Sequence, residues 1–167
     1  MMSVRFVPTT EQYIDGVCQC IDVVARERKF LARTQGPPIE TARAFARAMM
    51  AGAGVQILVI DADENVVGWC DIIINATEGF RHSGQLGMGL LPAARGQGLG
   101  RKLAQAAIER AFDLGLERIE LEVFASNESA TALYRELGFT VEGVKERARK
   151  IDGTYDDIIA MALLRDI

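Results

Sequence analysis

Between Leu90 and Lys102 the chain reads Leu-Leu-Pro-Ala-Ala-Arg-Gly-Gln-Gly-Leu-Gly-Arg-Lys, and no other stretch restricts the fold so tightly. An apolar run stops at Pro92, glycines alternate at positions 96, 98 and 100, and Leu99, Leu103, Ala107, Ala111 and Leu114 then recur at helical spacing. The pattern predicts a strand that enters a glycine-rich turn and continues as a helix. Glycine lets a backbone come close to a ligand, and a helix start offers unpaired N–H groups with a partial positive charge. Such a turn suits a phosphate or pyrophosphate. It is not a Walker loop, because Gly100 is followed by Arg101 and Lys102 by Leu103 where Gly-Lys-Ser/Thr is required. A dinucleotide fingerprint starting at Gly98 would need glycine at position 103, which is Leu103. An ordinary glycine-rich strand-to-helix turn stays open as the alternative at this point.

The remaining composition is that of a single domain, residues 1–167, with 49% hydrophobic and 25% charged residues and enough length for one core. No apolar run approaches the ~20 residues that span a bilayer, and the N-terminus lacks a basic start followed by an apolar stretch, so the expected location is cytoplasmic, away from membranes. Cys18, Cys20 and Cys70 are odd in number and, with His82 the only histidine, form no zinc set; they read as reduced packing thiols, and no metal is expected. The net charge of -4 argues against a nucleic-acid surface and is compatible with cationic amines.

Val4–Pro8 alternates as a first strand, and Thr9 or Thr10 is placed to cap a helix running to about Glu27 with Ile14, Val17, Cys18, Ile21 and Val24 or Ala25 on its apolar face. Gly36-Pro37-Pro38 makes Lys29–Ile39 a loop, and Arg28, Lys29, Phe30 and Arg33 make it a candidate substrate lip. A second helix spans Thr41–Met50. Strands follow at Val55–Ile60, Val66–Asn75 and Gln85–Leu91, where Gly87 and Gly89 suggest a bulge or a close backbone approach. After the helix from Gly98 to about Leu114 come a strand at Arg118–Val123, a helix capped by Ser126 or Asn127, and two strands, Phe139–Val144 and Tyr155–Leu164, joined by the charged stretch Lys145–Gly153. The strand-helix-strand unit places two parallel strands side by side. The order is β-α-α-β-β-β-α-β-α-β-β, an α/β (α+β) domain with a mixed central sheet of six to seven strands and about four helices.

Arg95-x-x-Gly98-x-Gly100 resembles the pyrophosphate signature of the GNAT N-acetyltransferase superfamily, and Asn127-x-x-Ala130-x-x-x-Tyr134-x-x-x-Gly138-Phe139, closing with Gly143, is similar to that family's second cofactor motif at the usual distance. The element order is also that of the GNAT fold. The ending Asp152-Gly153-Thr154-Tyr155-Asp156-Asp157 is similar to the subgroup that acetylates small amines, amino acids or protein N-termini. The resemblance implies acetyl-CoA as cosubstrate and transfer of its acetyl group to a primary amine of a small molecule or peptide, by direct attack while both are bound. It implies that backbone groups of Leu90 and Leu91 pair with the pantetheine arm. Arg95, Gly96 and the backbone N–H groups of Gln97, Gly98, Leu99, Gly100 and Arg101 would meet the pyrophosphate, Asn127 the pantetheine end, and Tyr134 the leaving thiolate as its acid. It further implies a homodimer joined through the last strands.

Positioning supplies much of the rate when a neutral amine attacks a thioester, but the amine must first lose its proton. Many relatives place a glutamate on the strand before the glycine loop, where this chain has Gln85, Gly87 and Gly89. Glu120 and Glu122 alternate on the next strand, Asp71 lies on the previous one and His82 in the adjoining loop; His82, with an ordinary pKa near 6.5, and Glu120 rank first as candidate bases, with a water relay as an equal alternative. The missing glutamate keeps open a second reading, a CoA-binding sensor or interaction module without turnover.

Overall fold

The computed structural model describes residues 1–166. Strand β1 (Val4–Pro8) leads through a single 3-10 turn to helices α1 (Ile14–Arg26) and α2 (Ile39–Ala48). Strands β2 (Gly54–Asp61), β3 (Val66–Ile74) and β4 (Ser83–Leu90) follow, then α3 (Leu99–Asp113), β5 (Arg118–Phe124), α4 (Glu128–Glu136), β6 (Thr140–Ile151) and β7 (Thr154–Leu164). The strands form one mixed sheet in the order β1-β2-β3-β4-β5-β7-β6. Class, element order and strand number match the expectation.

Period-two alternation sends successive side chains of β2 and β3 to opposite faces of the sheet. Val55, Ile57 and Val59 of β2 and Cys70 and Ile72 of β3 join Leu99, Leu103 and Ala107 of α3 and Tyr134 of α4 in one core. Leu58, Ile60 and Trp69 join Ile14, Val17, Cys18 and Val24 of α1 in the other. Both strands are therefore buried on both faces, which is why they read as near-continuous apolar runs. The three cysteines are free and buried in these cores, as expected.

The feature that matters for function is a seam. Strands β4 and β5 are parallel neighbours only from Ser83–Arg118 to Gln85–Glu120. Beyond that, β4 continues along β3 as far as Leu90, and β5 continues along β7 as far as Phe124. The sheet splits, and the split opens toward the glycine loop.

Three expectations are corrected. Neither threonine caps α1: a 3-10 turn, Glu11–Tyr13, precedes that helix, Thr10 makes no side-chain cap bond, and Thr9 Oγ1 donates instead to Gln56 Oε1 at 2.6 Å. No bulge lies at Gly87 or Gly89; the β3–β4 register is unbroken, and the irregularities fall between Val59 and Ile60 of β2 and, in β6, at Val141–Gly143 and Lys145–Arg149. Gly89 is nevertheless obligatory, because a Cβ there would stand 2.3 Å from the Trp69 ring. The stretch Lys145–Gly153 is not a loop. Strand β6 runs on to Ile151 and turns at Asp152-Gly153, both with positive φ (53° and 76°), the hairpin turn that an Asp-Gly pair favours.

Candidate active site

The glycine loop lies at the mouth of the split. Gly96 (φ 73°) and Gly98 (φ 76°) both sit in the left-handed region, and the space where a Cβ would stand is open at each. Side chains are excluded there by conformation, so backbone faces that space. Helix α3 starts at Leu99 without a side-chain cap, so the N–H groups of Leu99, Gly100 and Arg101 open the helix with its positive dipole end. Gly100 packs beside Met88, Leu90 and the α4 residue Leu133. The side chains of Gln97 and Arg101 are held elsewhere: Gln97 Oε1 accepts from Met2 N–H, and Arg101 pairs with Glu136 at 2.7 Å. What the loop offers an anion is its amides.

The sheet register decides which backbone groups face the split. Leu91 N–H donates to Val67 C=O at 2.8 Å and Asn75 N–H to Ser83 C=O at 3.0 Å. Alternation then turns Ser83, Gln85, Gly87, Gly89 and Leu91 toward β3, and Leu86, Met88 and Leu90 toward β5. Leu91 is therefore committed to β3, and Met88 is the residue that the sequence reading missed. Its signal was the period of two, which needs only one fixed pair to set the phase. Leu90 C=O accepts from the Arg95 guanidinium at 3.1 and 2.9 Å.

Arg95 does not point at the loop amides. Its guanidinium makes a two-pronged pair with Glu27 at 2.9 and 2.5 Å and lies 4.8 Å from the centre of the Phe30 ring. The same guanidinium lowers the Glu27 carboxyl below its ordinary range. Arg95 thus ties the end of α1 and the 27–38 segment to the strand end. That segment is anchored again at its other side: Arg28 pairs with Asp152 at the β6–β7 turn, and Arg149 donates to the carbonyls of Arg28 and Leu31 while covering the Phe124 ring.

Tyr134 stands on the α3 face of the split, 7% exposed, its ring 5.7 Å from Phe139 in an edge contact. Burial, with the Cys70 thiol beside it, raises the phenol well above its usual value, so it stays protonated. Among the described residues only Arg149 Nε is both sealed from solvent and without a partner. Tyr134 Oη, which makes no hydrogen bond there, consequently opens onto accessible space. Asn127 caps α4 through Oδ1, which accepts from Ala130 N–H at 3.2 Å, and its amide nitrogen is left for another acceptor.

The candidate bases are not brought to Tyr134. His82 is exposed and precedes β4, five residues or roughly 17 Å of strand before Gly87. Glu120 sits at the closed end of the split and on the opposite face from Ile119 and Leu121, paired with Arg118 at 2.6 Å. Among the described residues no cluster of three or more metal-ligating side chains is present, and no helix is long and apolar enough to cross a membrane.

Known proteins share this fold. The fold matches the crystal structure of a phosphinothricin acetyltransferase of the GNAT superfamily from Sinorhizobium meliloti in complex with AcCoA, at TM-score 0.90 and 17% identity over 98% of this chain and 89% of that one. In sequence the chain is 35% identical over 81 residues to an uncharacterized N-acetyltransferase of Bacillus subtilis, covering 48% of this chain and 52% of that protein. It is 32% identical over 112 residues to the spermidine N(1)-acetyltransferase of Vibrio cholerae, covering 66% of this chain and 63% of that protein. The chain therefore spans about half to two thirds of these relatives' length. The model of the acetyltransferase (GNAT) family matches residues 25–139, from the end of α1 through the split sheet and glycine loop to Phe139, and the chain belongs to that family.

Proposed function

We propose that the protein is an acetyl-CoA-dependent N-acetyltransferase acting on a primary amine of a small molecule or peptide. The observation that carries this reading is the split between β4 and β5, which ends at an uncapped helix start and two left-handed glycines with open space above them. The amides of 97–101 fit a pyrophosphate, and the seam-facing backbone of Met88 and Leu90 fits the amide-bearing pantetheine arm as a strand laid beside β4. Acetyl-CoA supplies the activated acyl group. Tyr134 Oη holds the proton that the departing sulfur needs, Asn127 orients the arm through its free amide, and Arg95 keeps the strand end and the 27–38 segment in register. The acceptor enters between that segment and the β6–β7 turn. Spermidine is the acceptor named for one relative, and polyamines fit the negative charge of this chain. Self-association through β6 and β7 belongs to the same reading, since Val141, Val144 and Leu164 are exposed on them.

The test is thiol release from acetyl-CoA against polyamines, amino acids, aminoglycosides and N-terminal peptides, with wild type beside Tyr134→Phe. Turnover on one class is expected, reduced about 100-fold in the variant, with acetyl-CoA affinity unchanged. Tight acetyl-CoA binding without turnover on any amine would favour a sensor module instead; absence of binding would remove the reading of the loop.

A further inference from the structure

The proposed reaction leaves one task unassigned, removal of the proton from the acceptor ammonium. The split is flanked on two faces. Cys70 and Asp71 are neighbours on β3, and alternation sends Cys70 to the α3 face, beside Tyr134, and Asp71 to the α1 face. Asp71 pairs in register with Gly87 on β4, two residues beyond the last β4–β5 pair at Gln85. Gly87 is the one residue of that strand region whose missing side chain leaves nothing within 4 Å, whereas the space over Gly89 is filled by Trp69. Asp71 thus stands level with a bare glycine at the start of the split, on the α1 face, while its neighbour Cys70 lies beside Tyr134 on the other face.

Asp71 is built to be held still. It is 8% exposed, and its Oδ1 accepts from Gln56 Nε2 at 2.7 Å, while Gln56 Oε1 accepts from Thr9 Oγ1 at 2.6 Å. Its Oδ2 makes no hydrogen bond among the described residues and is not sealed, by the same reasoning as for Tyr134 Oη. Gln56 also floors a cavity of about 240 Å³ between α1 and α2, lined by Val17, Cys18, Ile21 and Phe45.

We propose, resting on the acetyltransferase reading, that Asp71 Oδ2 is the group that takes the proton from the acceptor ammonium. The ammonium gives one proton to Oδ2, the freed nitrogen lone pair forms the C–N bond, and the C–S bond breaks. The thiolate takes the Tyr134 Oη proton, and the second proton lost by the new amide nitrogen restores the phenol through water. Asp71 alone ends with an added proton, which passes to solvent. Burial without a counter-charge pushes this carboxyl up to about 7, so it is a competent acceptor near neutrality. The groups near it are Gln56, its hydrogen-bond partner, Cys70 on the opposite face of β3, and Cys18 and Arg33, which line the cavity that Gln56 floors. None of the titratable or charged ones pairs with it.

The test is the pH profile of kcat for Asp71→Asn, an isosteric change that keeps the Gln56 bond, measured on the best amine with acetyl-CoA affinity and Tm in parallel. Wild type is expected to rise to a plateau above about pH 7; the variant should be slower by about 100-fold at pH 7 and climb with unit slope to pH 10, with acetyl-CoA affinity unchanged. Should Asp71→Asn not fold, Gln56→Leu is read instead, and its acidic limb should move to higher pH because the ionised carboxyl loses a donor. A variant with wild-type profile and kcat within threefold overturns the assignment and leaves the acetyltransferase reading intact. A wild type that turns over no amine overturns both.

Discussion

The two sides of the seam are built differently. Strands β2 and β3 are covered on both faces, by α3 on one and α1 on the other, and buried almost throughout, while β4 at the seam is exposed at Gln85 and Gly87. From β5 to β6 the α3 face still carries Ile119, Leu121 and Met161 into the core, but the other face holds ion pairs, Arg118 with Glu120 and Glu142 and Lys145 with Glu122, and β6 is exposed along nearly its whole length. The doubly covered half owes its geometry to packing and the open half to its hairpin ladder. The split lies between them, where neither side imposes its spacing on the other.

Trimming matched apolar side chains on the two sides should break the symmetry of cost most clearly. Leu58→Ala, at a fully buried site, is expected to cost about 3–5 kcal/mol, and Val144→Ala, 55% exposed on β6, less than about 0.5 kcal/mol, both by urea denaturation. Equal losses would mean that the ribbon is covered in solution.

Carboxylates sharpen the contrast, because their pKa values move in opposite directions. Asp71, in the covered half, is raised from 3.8 to about 7 by burial. The folded state then binds its proton more tightly than the unfolded state does, so this group's contribution falls as pH rises from about 4 to 7, by up to roughly 4 kcal/mol. Glu142, in the open half, is lowered by the Arg118 guanidinium, so its smaller contribution is present above its ordinary value of 4.5 and lost as pH falls. The measurement is stability against pH for wild type and Asp71→Asn; the variant should lose the decline between pH 4 and 7 and keep the acid-side loss.

The smallest effect is expected where the open half touches the 27–38 segment. Arg28 and Asp152 are paired but largely exposed, and Arg28→Ala should leave Tm within a few degrees of wild type. A larger loss would show that the β6–β7 turn helps to hold the covered half together.

The same contrast explains what was legible in the sequence. In the covered half β2 and β3 announced themselves by apolar runs and β1 by alternation, and the glycine loop by its alternating glycines. In the open half the hydrophobic pattern vanishes along Lys145–Ile151, so an extended ladder read as a charged loop, although Asp152-Gly153 carried the hairpin signal. Around the site, the start of α3 at Leu99 and the cap of α4 by Asn127 were legible from their local patterns. Three features were not legible. The preference of Arg95 for Glu27 joins residues 68 positions apart, the phase that turns Met88 rather than Leu91 to the split follows from pairing, and the alignment of Asp71 with the bare Gly87 is a cross-strand relation. Each depends on tertiary register, which no local window contains.

The brevity of the β4–β5 ladder has a mechanical consequence. Two runs of sheet share a hinge of three rungs; one core, built on α3 and Tyr134, packs across both, and a second lies on the β2–β3 side alone. Changing the angle between them strains that shared core as well as the rungs, and a close-packed interior resists changes of even one methylene. A guest that bridged both rims would supply the rungs that β4 and β5 lack beyond Gln85 and Glu120.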